Sequence, residues 1–266
     1  MKKTIITGVA VLCAGFSLAG ELLLQQDFNT KTGEASLMDI VLGKQWLKAG
    51  SPKLVNSDLP PTGQGGFVGE VKCDSSEKNY FQVKKTFGSL KSITLGGWVK
   101  VGVPDYTHGY ILNNQMTIER QGFGLNVMSN GLKVALAVNA HLLVTDCVIA
   151  PDVWTFVAVT YDGTKNTGNV KVYVSTDGQT LSLAQTLTHN RGAITPSSAG
   201  VTSGKFFSTG LFDSLRVYGS EKDDTGALSE DEIKAWMEYS DTGAKPIILG
   251  ACFPSRVDFA EYRNGI

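Results

Sequence analysis

The chain carries little charge and almost no excess of either sign. Of its 266 residues, 24 are Lys or Arg and 25 are Asp or Glu, so the formal net charge is −1. A protein that neutralises the phosphates of nucleic acid needs clustered basic residues in excess, and this composition excludes such a surface. A disordered acidic chain is also excluded, because 42% of the residues are hydrophobic.

Histidine and cysteine are scarce, and their spacing does not suit a zinc site. The three histidines, His108, His141 and His189, lie far apart, and no C-x-x-C motif is present. After the N-terminal twenty residues, no apolar run approaches the ~18 residues that a bilayer span requires. We therefore predict neither a zinc centre nor a membrane span.

The N-terminus has the three parts of a secretory signal. Lys2 and Lys3 supply positive charge, residues 5–16 are apolar, and Ser17-Leu18-Ala19 ends in small residues. We predict cleavage after Ala19 and a product that is secreted, periplasmic or on the cell surface. A lipoprotein site at Cys13 is disfavoured, because Leu12 stands where a small residue is needed.

Three cysteines follow the signal, so at most one internal disulfide can form. Cys73 shares a strand face with Val71 and is interpreted as a buried thiol. A bridge between Cys147 and Cys252 is the alternative that an oxidising compartment allows.

Most of the remaining sequence has the period-two alternation of short β-strands. The Asn130-Gly131 pair predicts a hairpin, because both residue types tolerate positive φ. Residues 153–161 are nearly all β-branched or aromatic, which is typical of a strand buried on both faces. Residues 188–203 are interpreted as a long surface connection. The predicted strands are 22–28, 67–73, 80–83, 92–101, 109–112, 117–120, 122–128, 132–138, 153–161, 170–175, 181–187 and 211–218.

One helix is predicted from residue 229 to about residue 239. Ser229 and Glu232 form a capping box, and Ile233, Trp236 and Met237 make one apolar stripe. Because no linker interrupts the strands, the organisation predicted is a signal peptide at 1–19, one β-sandwich domain at 20–240 and a tail at 241–266.

Several segments resemble the concanavalin A-like lectin/glucanase superfamily, in its laminin-G-like branch. The closest match is Trp154-Thr155-Phe156-Val157-Ala158-Val159-Thr160-Tyr161-Asp162-Gly163, and residues 66–74, 93–100, 170–174, 210–218 and 228–233 follow the family order. The resemblance implies an all-β, antiparallel jelly-roll sandwich with one C-terminal amphipathic helix.

Some relatives in this superfamily hydrolyse glucans with the motif Glu-x-Asp-x-x-Glu, which this sequence lacks. Glu70 and Glu119 are the main strand glutamates, and neither has a carboxylate two residues on. We predict a non-catalytic module that binds carbohydrate or an extracellular protein. A structural envelope or matrix component is the first alternative, and a glycoside hydrolase-like enzyme is a disfavoured second.

The best candidate ligand site combines aromatic and polar side chains in one loop and the strand that follows. Its predicted ligand-binding residues are Asp105, Tyr106, His108, Asn113 and Asn114. The alternative is a solvated hairpin loop whose Tyr110 belongs to the core.

The family resemblance also implies a structural Ca²⁺, for which Asp74 and Asp213 are the matching carboxylates. The alternative for Asp213 is a carboxylate that accepts hydrogen bonds from backbone amides in a turn. The alternative for Asp74 is a residue that initiates a turn.

Overall fold

Most of the described chain forms two antiparallel β-sheets that pack face to face, as the alternation predicts. The computed structural model describes residues 20–26, 28, 38–39, 41–42, 44–62, 67–72, 79–115 and 121–238. Nowhere in these ranges does an apolar helix reach the length that a membrane crossing requires.

The first sheet has eight strands, and its centre is the most regular part of the fold. Across this sheet the strands lie in the order β15 (Ser182–Leu187), β14 (Val170–Ser175), β13 (Thr155–Asp162), β8 (Ser92–Val101), β17 (Gly210–Ser220), β6 (Val68–Val71) and β5 (Lys53–Val55), and β1 (Glu21–Gln26) also pairs with β17.

The second sheet has seven strands. Their order is β12 (His141–Val148), β11 (Lys133–Val138), β10 (Phe123–Met128), β9 (His108–Asn113), β16 (Val201–Ser203), β7 (Tyr80–Val83) and β4 (Leu47–Ala49). The short strands β2 (Met38–Asp39) and β3 (Lys44–Gln45) form a separate pair.

The main core fills the space between the two sheets. Strand β13 is buried along its whole length, which confirms the prediction from its β-branched and aromatic residues. Its Val157, Val159 and Tyr161 face the second sheet, where β10 and β11 contribute Leu125 and Leu136. The alternate residues of β13 face outward into a second apolar cluster.

That second cluster lies under the helix α1 (Glu230–Met237), which covers the outer face of the eight-stranded sheet. The Trp236 ring contacts Phe156 edge-on at 5.0 Å between centroids, and its indole N–H donates to the Ser214 carbonyl at 3.3 Å. The predicted apolar stripe is confirmed, because Ile233, Trp236 and Met237 are the buried residues of the helix. Residue 239, the predicted end, lies outside the described residues.

The capping box gives a prediction for the stability of this helix. The Ser229 hydroxyl accepts from the Glu232 amide, and the Glu232 carboxylate accepts from the Ser229 amide at 2.8 Å. Ser229→Ala is expected to lower the free energy of unfolding by about 1 kcal/mol, and Tm by about 2–4 °C. Thermal unfolding measures this loss. Ser229→Asn is the control and should retain most of the stability; an equal loss in both variants would contradict the capping role.

The hairpin between β10 and β11 forms at the predicted place, but its two residues with positive φ lie one position later than predicted. Positive φ occurs at Gly131 (78°) and at Leu132 (48°), whereas the Asn-Gly pattern predicts it at Asn130 and Gly131. The Leu132 side chain is buried in the main core. We infer that this burial offsets the cost of a left-handed leucine.

Some strands do not follow from the sequence pattern. Strand β12 was not predicted, because it lies at a sheet edge and its outward Leu142 and Val144 stay exposed, which hides the alternation. Residues 201–203 of the predicted surface connection form β16, which bridges β9 and β7. The predicted strand 117–120 lies outside the described residues.

Candidate functional site

Four aromatic side chains and one lysine come together beside β9. The Phe206 ring lies 4.6 Å from Tyr106 and 5.1 Å from Tyr110, and the His108 ring lies 5.3 Å from Tyr110, all between centroids. The Lys205 ammonium is 4.7 Å from the centre of the Phe206 ring. We call these residues, Tyr106, His108, Tyr110, Lys205 and Phe206, the ring cluster.

Backbone hydrogen bonds hold the two halves of the ring cluster together. The Tyr110 amide donates to the Lys205 carbonyl at 2.8 Å, and the Asp105 amide donates to the Phe206 carbonyl at 3.0 Å. Phe206 has a φ of 70°, an unusual conformation for a bulky side chain. These two bonds fix the segment that carries Phe206 against the loop that carries Tyr106.

The ring cluster combines neutral polar groups, on His108 and Tyr110, with one cation, the Lys205 ammonium. Burial lowers the pKa of His108 and raises the pKa of Tyr110. At neutral pH the imidazole is therefore uncharged, and the phenol keeps its proton as a hydrogen-bond donor. The Tyr106 side chain is 56% exposed, so the cluster presents an aromatic surface to solvent.

A second group of polar side chains lies next to Tyr110 on the outer face of the seven-stranded sheet. The strand register pairs Asn126 with Tyr110 and Gly124 with Asn113, while Leu125 pairs with Leu112. Leu125 and Leu112 face the main core, so alternation places Gly124, Asn126 and Asn113 on the opposite face. A register shift between Leu125 and Asn126 lets both Ile111 and Leu112 face the core, and Tyr110, which precedes Ile111, therefore also lies on the opposite face.

The side chains of Asn113, Gln115 and Asn126 form what we call the carboxamide cluster. A Cβ added at Gly124 would lie 2.5 Å from Asn113 Nδ2 and 3.4 Å from Asn126 Oδ1, so these groups converge above the glycine. Asn113 Oδ1 accepts from the Gln115 amide at 3.0 Å, and Asn113 Nδ2 donates to Gln115 Oε1 at 3.5 Å. Among the residues that the structure describes, neither the Oδ1 nor the Nδ2 of Asn126 has a hydrogen-bond partner, and Gln115 Nε2 has none there either.

The structure places the five predicted ligand residues in three different settings. Tyr106 and His108 belong to the ring cluster, and Asp105 adjoins it through its backbone. Asn113 belongs to the carboxamide cluster. Asn114 stabilises the β9–β10 connection instead, because its Oδ1 accepts from the Phe123 amide at 2.8 Å.

Other residues of the two clusters were missed or assigned differently from the sequence. Tyr110 is half-buried among the rings and does not belong to either apolar core cluster, contrary to the solvated-loop alternative. Phe206 and Lys205 lie in a segment without clear periodicity, and Asn126 looks like an ordinary polar strand position. The sequence signal for Lys205 and Phe206 is the Lys-Phe-Phe run at 205–207, and Asn126 has none.

The structure describes one of the two predicted calcium ligands. Asp213 is buried, and its Oδ1 accepts from the Ser214 amide at 2.8 Å, as in the turn alternative. Asp74 lies outside the described residues. In the described part of the chain, no three His, Cys, Asp or Glu side chains form a metal-binding group.

Cys147 on β12 forms no disulfide with any residue that the structure describes. Its predicted alternative partner, Cys252, lies outside the described residues, so the Cys147–Cys252 bridge stays a prediction. The thiol packs half-buried against the main core, and burial raises its pKa. Residues 73 and 252 lie outside the described ranges.

A separate pocket of about 270 Å³ lies at the end of β12. The buried His189 ring donates from Nε2 to the His141 carbonyl at 3.0 Å, and the Arg191 guanidinium donates to His141 Nδ1 at 2.7 Å. Burial is the largest cause that lowers the pKa of His189, and the His141 carbonyl acts in the opposite direction. These hydrogen bonds already occupy His189 Nε2 and His141 Nδ1, which leaves the pocket fewer polar groups for a ligand.

The His189 environment predicts that acidification destabilises the fold. The pKa of His189 is lower in the folded chain than in the unfolded one, so the unfolded state binds more protons as the pH falls through about 6.5. Tm should therefore fall by a few degrees between pH 7.5 and 5.5, a loss on the order of 1 kcal/mol. In His108→Gln/His189→Gln this dependence should be much weaker, because both histidines with lowered pKa are removed. An unchanged pH slope in that variant would contradict the assignment.

Comparisons with known proteins agree on the fold. Residues 75–234 match the sequence model of the concanavalin A-like lectin/glucanases superfamily, laminin-G type. A search of curated proteins finds no significant relative. The binding domain of botulinum neurotoxin DC, in complex with rat synaptotagmin II, is 15% identical, with a TM-score of 0.57 over 81% of this chain and 51% of that one.

Two further solved structures are similar at the same level. A structure of botulinum neurotoxin type C, whose cell entry depends on two ganglioside molecules, is 15% identical with a TM-score of 0.55, over 82% of this chain and 50% of that one. The binding domain of serotype G is 13% identical with a TM-score of 0.53, over 82% of this chain and 50% of that one. The chain thus spans about half the length of these toxin domains.

Proposed function

Because the chain belongs to the concanavalin A-like lectin/glucanases superfamily, we propose that it is a non-catalytic module whose ring cluster binds carbohydrate. The observation that carries this proposal is the exposed ring of Tyr106 in contact with Phe206, in a cluster whose Tyr110 pairs with Asn126 of the carboxamide cluster. Ligand sites of this class combine apolar, often aromatic, surfaces with a few polar groups that fix orientation.

The protonation states of the ring cluster suit a ligand rich in hydroxyl groups. The neutral imidazole of His108 can donate from one nitrogen and accept at the other, and the protonated Tyr110 phenol can do both. Sugar hydroxyls also donate and accept, so each of these groups has a matching partner on a saccharide.

The similar toxin structures support binding as the class of function. One of them was solved with a protein partner, and another depends on gangliosides, which carry carbohydrate. Because this chain spans about half of those domains, their partners do not transfer to it directly. They support a glycan as the proposed partner and an extracellular protein as the alternative.

Catalysis is disfavoured on chemical grounds. A glycosidase of this kind needs two carboxylates that flank the scissile bond about 5 Å apart. Asp105 is the carboxylate residue that adjoins the ring cluster through its backbone, and the sequence has no Glu-x-Asp-x-x-Glu motif. We therefore assign no catalytic residue to this site.

The proposed setting is outside the cytoplasm. The tripartite N-terminus supports export with cleavage after Ala19, which would bring the module to glycans outside the cell. A structural Ca²⁺ near Asp213 remains part of the proposal, and chelation would then lower the melting temperature.

A glycan array tests the proposed function. The chain from residue 20 onward is applied to immobilised saccharides, with Tyr106→Ala as the paired variant. We expect saccharide binding by the wild-type chain that weakens in the variant, because the exposed ring is lost. An array without any ligand would overturn carbohydrate binding and leave the protein-partner and structural alternatives.

A further inference from the structure

We propose that the carboxamide cluster recognises the acetamido group of an amino sugar whose ring is held at the ring cluster. This inference rests on the proposed carbohydrate binding and names the class of sugar. It depends on three features: unpaired buried polar atoms, the neutral chemistry of those atoms, and the small residues around them.

The unpaired atoms are the first feature. Asn126 is only 1% exposed, yet its Oδ1 and Nδ2 both lack a hydrogen-bond partner in the described part of the chain, and so does Gln115 Nε2. Buried polar side chains nearly always have a partner in folded proteins, because leaving one unpaired is costly. A ligand that pairs with these atoms would recover that cost on binding, which makes the cluster a site that favours a matching group.

The chemistry of the unpaired atoms is the second feature. Asn126 presents one donor group and one acceptor, and Gln115 Nε2 adds a second donor. A secondary amide has the complementary pair: its carbonyl accepts from Asn126 Nδ2 or Gln115 Nε2, and its N–H donates to Asn126 Oδ1. A carboxylate or phosphate lacks a donor for Asn126 Oδ1, so the cluster favours a neutral amide over an anion.

The surrounding residues are the third feature. Ala135 and Ala137 pair with Asn126 and Gly124 on the neighbouring strand, and both alanines are buried outside the two apolar core clusters. These small residues give the methyl of an acetyl group an apolar contact. Because Asn126 pairs with Tyr110, a sugar ring held on Tyr110 would place a ring substituent above the cluster.

The route to the cluster follows from the exposure of its members. Asn113 and Asn126 are buried, whereas Gln115 is half-buried and its side chain is held by one bond of 3.5 Å to Asn113. The ligand would therefore enter by displacing the Gln115 side chain, whose Nε2 can then donate to the acetamido carbonyl.

Matched saccharides that differ at one substituent test the inference. Isothermal titration would compare diacetylchitobiose with cellobiose, and N-acetylgalactosamine with galactose. The wild-type chain is expected to bind the acetamido member of at least one pair about tenfold more tightly, a difference of about 1.4 kcal/mol.

The key variant is Asn126→Leu, which replaces an unpaired carboxamide by an apolar group of similar size. It should keep or raise the melting temperature, because no hydrogen bond to a described residue is lost, while the acetamido preference disappears. Asn169→Leu is the matched control for a buried Asn: its carboxamide bonds to Lys165 and His189, so this variant should lower the melting temperature.

The outcomes separate this inference from the proposed function. If both members of each pair bind equally, or if the preference persists in Asn126→Leu, the carboxamide cluster is not the specificity site, although carbohydrate binding stands. If no saccharide binds but an N-acetylated peptide does, the amide belongs to a protein partner and both proposals fall. If neither binds, both are overturned.

Discussion

Gly96→Ala is expected to lower the free energy of unfolding by about 3 kcal/mol or more, the largest stability effect that the fold predicts. Gly96 lies in the middle of β8, between β13 and β17. An added Cβ would overlap the Val157 carbonyl oxygen and lie 2.8 Å from the Ala158 Cα. Because both obstacles are backbone, no side-chain rotation relieves the clash, and the central strands must separate.

Urea unfolding measures this loss, with Gly131→Ala as the matched control. Gly131 has a φ of 78°, and no atom of the described residues lies within 4 Å of an added Cβ. Its substitution therefore costs only the strain of a left-handed alanine, about 1–2 kcal/mol. If the two variants lost equal stability, the close packing of β8 against β13 would be contradicted.

The second large effect concerns binding. Tyr106→Ala/Phe206→Ala is expected to weaken the tightest array ligand by at least about tenfold, a loss of about 1.4 kcal/mol or more. The two rings contact each other at 4.6 Å, so removing both eliminates the exposed part of the ring cluster. Alanine at position 206 still carries a Cβ, so the backbone strain at the φ of 70° is kept in the variant.

Leu183→Ala is the control for this double variant. Leu183 is 45% exposed on β15, an edge strand of the other sheet, and its removal also deletes exposed apolar surface. Titration calorimetry should give unchanged affinity for Leu183→Ala. Equal affinities for the double variant and the wild-type chain would exclude the ring cluster as the binding surface.

The fold was largely predictable from the sequence because its central strands are long and uniform. Strands β8 and β14 begin and end where the alternation predicts, and the capping box locates the helix start. Strand β16 was not predictable, since three residues are too few for a period and its pairing with β9 is a tertiary contact.

The candidate site was predictable only in the half that is local in sequence. Tyr106 and His108 stand close together in an aromatic and polar segment, which indicates a ligand site. Phe206 reaches them through backbone pairing between segments about a hundred residues apart, which no local pattern encodes. The unpaired state of Asn126 depends on its neighbours in space, so its position in the strand pattern gives no indication of it.

Nuclear magnetic resonance titration with the tightest array ligand locates the binding surface directly. Binding at the ring cluster predicts that the largest chemical-shift changes occur at Tyr106, His108, Tyr110 and Phe206, with smaller changes at the carboxamide cluster. Changes confined to the His141–Arg191 pocket, or the absence of any ligand-dependent change, would contradict it.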